Sequence, residues 1–186
     1  MEAGPLRLIV MRHAKTGELV GGPDFERALT ERGRRDAAAA GGGGGGGPPP
    51  AAAAGRWLRA SGLVPDAVIC SAARRTRQTW LGMAAELGAE VSCRLDDRLY
   101  SAGAAAVGEI IATETDPAVT TLLCVGHNPA MAQLAEDTTG QPLEFPTAAI
   151  AVAVLPSGPW ADTIGRPGDL GAYWTPRRAA SGGLPH

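Results

Sequence analysis

Apolar residues recur along this chain in short continuous runs, separated by longer segments with helical periodicity. Leu6 to Met11 is an apolar, β-branched run interrupted only by Arg7, which suits a strand buried on both faces. Ala67–Cys70, Thr121–Val125 and Ala148–Leu155 share that character, and shorter strands are expected around Val91 and over Leu170–Trp174. Between them, Trp80, Met83, Ala84 and Leu87 follow the i, i+3, i+4, i+7 spacing of one helix face. That helix opens at Ser71 and closes at Gly88. Val107, Ile110 and Ile111 mark another, running to Asp116-Pro117. Asn128 is placed to cap a further helix with Pro129 as its first residue and Gly140 as its stop. Thr30 is placed to cap an earlier one from Glu31. Strands alternating with helices predict an α/β fold, a three-layer α/β/α sandwich around a mostly parallel central sheet.

One stretch breaks the pattern. Residues 37–54 read as four alanines, seven glycines, three prolines and four alanines, and the tetra-alanine plus glycine of 37–41 recurs at 51–55. Excising 41–54 aligns Ala37, Ala40 and Leu58 at i, i+3 and i+7, a continuous apolar stripe. Residues 41–54 are therefore expected to be a low-complexity insert looping out of one helix, since glycine and proline cannot continue it. The block accounts for much of the unusual content of 26 glycines and 15 prolines in 186 residues. What remains is compatible with a single folded domain over 1–174 and a mobile tail over 175–186.

Charge and cysteine usage narrow the function. The chain is mildly acidic, with a net charge of −2 and no basic tract, which argues against holding nucleic acid through its phosphates. Cys70, Cys93 and Cys124 are odd in number and widely spaced, as expected of free thiols in a reducing cytosol. No basic leader or membrane-length apolar run occurs, so a soluble cytoplasmic protein is expected.

Chemistry-bearing residues gather at the carboxyl ends of the expected strands, where open parallel sheets bind ligands. The first strand delivers Arg12, His13, Lys15 and Thr16; the second delivers Ser71 followed by Arg74, Arg75 and Arg77; the fourth delivers Gly126-His127-Asn128-Pro129. Of three histidines in the chain, the two that are not terminal share one sheet edge. Such a set suits phosphoryl transfer. A neutral imidazole can attack phosphorus, and guanidinium forks match phosphate oxygens. A neighbouring arginine also disfavours imidazolium and so keeps His13 nucleophilic. Plainer readings stand beside this one: histidines capping strands, a solvated arginine face favoured by the strong Arg-over-Lys usage, or a metal pair. The last lacks any HxxxH or CxxC spacing.

Together the three segments resemble the histidine phosphatase superfamily, and within it the compact SixA-type phosphohistidine phosphatases. Arg12-His13 matches the Arg-His-Gly hallmark with Ala14 in place of glycine. Ser71, Arg75, Gln78 and Thr79 match the family's Ser-x-x-x-Arg-x-x-Gln-Thr segment, and His127 matches the second histidine. Arg27-Ala28-Leu29-Thr30-Glu31-Arg32-Gly33 resembles Arg-Pro-Leu-Thr-x-x-Gly, with Ala28 replacing proline. The resemblance implies a phosphoglycerate mutase-like fold in which His13 accepts the phosphoryl group. Arg12, Arg75 and His127 would form the phosphate pocket and Thr16 would add a hydroxyl. It implies no cofactor and no metal.

Larger members of the superfamily carry a carboxylate that protonates the leaving group. The corresponding stretch here, Asp96 to Gly103, is short and offers no clear acid in that place; Asp24 and Asp97 are candidates to which the role is not assigned. Imidazole leaves phosphohistidine easily without such an acid, whereas an alkoxide does not. The resemblance thus implies a phosphorylated protein partner, a histidine-containing signalling domain. A small phosphate ester is the alternative substrate, and a non-catalytic phosphate-binding domain the second alternative. A dinucleotide-binding fold is disfavoured because no GxGxxG joins a strand to a helix.

Overall fold

The computed structural model describes residues 4–14 and 50–177. The helix expected from Glu31, most of the low-complexity block, and Lys15, Thr16, Asp24 and Arg27–Gly33 lie outside the described residues.

Among the described residues, six strands form one sheet: β1 (Leu6–Arg12), β2 (Ala67–Ser71), β3 (Ser92–Asp96), β4 (Thr121–Gly126), β5 (Ile150–Leu155) and β6 (Asp169–Trp174). Their spatial order is β3-β2-β4-β1-β5-β6. The pairs β1–β4, β2–β4 and β2–β3 are parallel, whereas β5 runs antiparallel to both β1 and β6. The sheet is therefore mostly parallel, as expected, with one reversed strand. The expected strand near Val91 falls slightly later, at Ser92–Asp96, and β5 starts at Ile150 instead of Ala148.

Helices α1 (Pro50–Ala60), α2 (Arg74–Leu87), α3 (Ala104–Glu114), α4 (Ala130–Thr139) and the short α5 (Trp160–Thr163) cover the sheet, and a 3-10 turn spans Asp97–Tyr100. Alternation along β1 divides them into two layers. Leu8 and Val10 pack with Val107, Ile111, Met131 and Trp160, while Ile9 and Met11 pack with Leu58, Trp80, Met83 and Leu87. Both faces of β1 are thus buried, which is why its sequence lacks polar alternation. Among the described residues no helix is long and apolar enough to cross a membrane.

Three local expectations are corrected. The low-complexity insert is expected to run to Ala54, but Pro50–Ala54 is the first half of α1, with Ala51, Ala52 and Ala54 buried. Alanine is the best helix former, and its small side chain lets α1 lie close against α2. A Cβ on Gly55 would come within 2.9 Å of the Glu86 Cβ and would strike the Met83 carbonyl, so only glycine fits there. Thr175, expected to begin a mobile tail, is itself buried. Finally, Asn128 does not cap the following helix. Pro129 occupies the cap position before Ala130, and the Asn128 side-chain amide donates instead to the Phe145 carbonyl at 3.0 Å.

The α1 packing sharpens what a deletion should do. Removing 41–54 brings the alanines of 37–40 directly before Gly55 and restores the same four alanines and glycine. Thermal unfolding of that variant is expected within about 2 °C of the parent. Gly55→Val should instead lower the melting temperature by several degrees, roughly the 1–3 kcal/mol of an overpacked contact. A large drop for the deletion, or none for Gly55→Val, would refute this account of α1.

Candidate active site

The four parallel strands β1 to β4 end on one edge, and their register brings the expected residues together there. Arg12 pairs with Gly126, and Cys70 with Val125, so His13, Ser71 and His127 emerge side by side. The His13 backbone is held from two directions. Its N–H donates to the Gly126 carbonyl, and its own carbonyl accepts from Ala148 N, both at 3.1 Å. Ala148 makes that bond with φ at 61°, a left-handed conformation that costs an L-residue about 1–2 kcal/mol. The turn into β5 therefore carries strain where it supports His13.

The imidazole of His13 is 9% exposed, and its Nδ1 lies 2.7 Å from the Ala14 carbonyl. A carbonyl can only accept, so Nδ1 carries the proton and the lone pair of the neutral ring resides on Nε2. The rings of His13 and His127 are 5.2 Å apart, tilted by 53°. His127 is also buried, and its Nε2 is hydrogen-bonded to Ser71 Oγ at 2.9 Å. Ser71 itself is fully buried, which fixes that imidazole against the end of β2.

Arg75 sits in the first turn of α2, only 8% exposed. Thr79, one turn later, joins this helix to the His13 loop. Its hydroxyl accepts from Ala14 N at 3.0 Å and donates to the Arg75 carbonyl at 2.7 Å. Arg12 donates through Nη1 to the Phe145 carbonyl at 2.9 Å, the same oxygen that Asn128 uses. Its Nε is buried and has no hydrogen-bond partner among the described residues, a donor suited to an anionic ligand. Burial pulls the Arg12 pKa below its ordinary value, but arginine starts so high that the cation persists at neutral pH.

Of the residues expected in the site, Arg12, His13, Arg75 and His127 come together, and Thr16 lies outside the described residues. Three contributors had no signal in the sequence pattern. The Phe145 carbonyl reaches the site because β5 is reversed and begins at this edge. The Ala148 backbone is likewise a product of that turn. Tyr100, at the end of the 3-10 turn, lies edge-on to His127 with centroids 5.5 Å apart, and the Arg75 guanidinium carbon lies over its ring at 5.5 Å.

Neither acid of that turn is disposed like Tyr100. Asp96 is buried and accepts from Arg98 N and Nε at 3.0 Å and from Nη2 at 2.6 Å. These bonds to Arg98 hold its carboxyl below the usual carboxylate range. Asp97 is exposed. Nor do the cysteines of β2 and β4 supply a nucleophile. Cys70 and Cys124 are buried free thiols, and burial pushes Cys124 up to about 12. For Cys70 the hydrogen bond with Cys93, then burial, also drives the thiol pKa upward.

No family model matches the chain. It is 39% identical over 163 residues to the Mycobacterium tuberculosis protein Rv1276c, covering 82% of this chain and 90% of that one. Among solved structures it is similar to the SixA protein of Nakamurella multipartitia, with 30% identity and a TM-score of 0.72. That match covers 95% of this chain and 99% of the SixA chain. This chain belongs to the SixA family of the histidine phosphatase superfamily. The superfamily fold extends to the mycobacterial glucosyl-3-phosphoglycerate phosphatase Rv2419c, at 17% identity, a TM-score of 0.55 and coverage of 85% and 94% of the two chains. As a SixA-family member the protein is read as a phosphatase, and the mixed six-stranded sheet is that of its neighbours.

Proposed function

We propose that this protein removes phosphate from phosphohistidine on a partner protein through a covalent phospho-His13 intermediate. The observation that carries the reading is the Nδ1 bond of His13, which leaves the lone pair on Nε2 at an edge shared with His127, Arg75 and Arg12. In the first half-reaction Nε2 attacks phosphorus, and the P–N bond of the substrate breaks with its electron pair going to the departing imidazole. In the second, water attacks phosphorus and the P–Nε2 bond breaks, returning neutral His13 and inorganic phosphate. Arg12, Arg75 and His127 neutralise the charge on the phosphoryl oxygens in both halves. Guanidinium groups supply the neutralisation that a metal would otherwise bring, and Thr16 adds a hydroxyl.

Two features favour phosphohistidine over an alkyl ester. Asp96 is engaged by Arg98 and Asp97 faces solvent, so neither is assigned as a leaving-group acid. Imidazole departs without that help, because its second ring nitrogen can be protonated before the bond breaks. The test is a comparison of kcat/KM on a phosphohistidine peptide and on an alkyl phosphate of similar charge. The peptide is expected to be turned over at least about tenfold faster. Faster turnover of the alkyl ester would move the protein to small-molecule phosphomonoesterases. Tight phosphopeptide binding without release of phosphate would make it a binding domain.

A further inference from the structure

We propose that Tyr100 determines specificity by presenting an aromatic wall to the leaving group, selecting a flat imidazole over leaving groups without a ring. The inference rests on the phosphohistidine reading and names the part of the site that recognises the ring of that substrate. Tyr100 comes from a segment separate from the phosphate-facing residues, the 3-10 turn that follows edge strand β3. Its half-buried ring nevertheless meets two of them, lying perpendicular to His127 and beneath the Arg75 guanidinium.

The turn is built to hold this ring in place. Asp96, at its start, accepts hydrogen bonds from three nitrogens of Arg98, and Leu99 beside Tyr100 is anchored in the core layer that contains Val107 and Ile111. Tyr100 is thus fixed from behind while its ring adjoins the groups expected to hold phosphate. A phosphorylated imidazole whose phosphate lies among Arg12, Arg75 and His127 has its own ring within reach of that wall. An imidazole ring gains from aromatic pairing beyond simple burial, and a protonated leaving imidazole gains further from the ring's quadrupole. Neither gain is open to a leaving group without a ring.

The experiment compares the parent, Tyr100→Phe and Tyr100→Ala on a phosphohistidine peptide and on phosphoramidate. Phosphoramidate has the same type of P–N bond but releases ammonia, which has no ring. In Tyr100→Ala, kcat/KM is expected to fall about 5- to 10-fold more on phosphohistidine than on phosphoramidate. Tyr100→Phe should restore the parent's ratio between the two substrates, because the ring and not the hydroxyl is responsible. Equal losses on both substrates in Tyr100→Ala would overturn the inference, leaving Tyr100 as a prop for Arg75 and His127. A Tyr100→Phe variant that behaves like Tyr100→Ala would overturn it too. Tyr100→Leu, which keeps more of the volume, serves the same comparison if the alanine variant does not fold. Should the parent cleave phosphoramidate but not phosphohistidine, the phosphohistidine reading itself fails, an outcome distinct from equal losses.

Discussion

His13→Ala is expected to lower phosphate release by about 10⁴-fold or more and to abolish acid-labile labelling of the protein by a phosphoryl donor. The reasoning is local. Alanine removes the only group at position 13 that can form a P–N bond, while Arg12 and His127 stay at their strand ends and Arg75 in the first turn of α2. The variant should therefore still bind phosphate or tungstate as a competitive ligand, which separates loss of chemistry from loss of the site. Direct attack of water on a phosphate held there would give only residual activity. Full activity in His13→Ala, or acid-labile phosphate still trapped on that variant, would end the assignment of His13 as acceptor.

Arg75→Ala is the second large effect. Removing one preorganised donor from developing charge costs about 10²- to 10³-fold in kcat/KM, and the loss should extend to the affinity for inorganic phosphate. Arg75→Lys should recover only part of it. An ammonium offers no planar fork, and it cannot lie over the Tyr100 ring as the guanidinium does. Arg74→Ala provides the contrast, since Arg74 is exposed and the motif resemblance singles out its neighbour. If Arg74→Ala reduced turnover as severely as Arg75→Ala, the assignment of the phosphate ligand within this arginine run would be wrong.

Much of this was legible in the chain itself, for physical reasons. Strands buried on both faces leave continuous apolar runs, and β1, β2 and β4 stand where those runs predict. Two histidines and one arginine were placed by topology alone, because parallel strands end on a common edge. Homopolymeric alanine hid the start of α1: a run of identical small residues has no periodic contrast, so the buried face of Ala51, Ala52 and Ala54 could not be told from linker. Backbone contributors leave no trace in residue type. The carbonyl of Phe145 and the N–H of Ala148 are set by the reversed entry into β5, and nothing in their side chains announces it. Tyr100 escaped notice for another reason. It is one residue in a four-residue turn, too short for any period to emerge.

The order of strands in space has a further consequence, for how the molecule is made. β1 precedes the other described strands in the chain, yet its two neighbours in the sheet are β4, beginning at Thr121, and β5, beginning at Ile150. Until most of the chain has left the ribosome, this strand of Leu, Ile, Val and Met has neither edge covered. Closing such distant pairings costs chain entropy before any contact rewards it, which makes for slow folding and an exposed, sticky early segment. His13, at the end of β1, is translated ahead of the other described strands, yet its carbonyl finds its partner only at Ala148, just before β5. A nascent chain truncated before Phe145 would carry His13 and His127 and still lack the turn that holds the first of them.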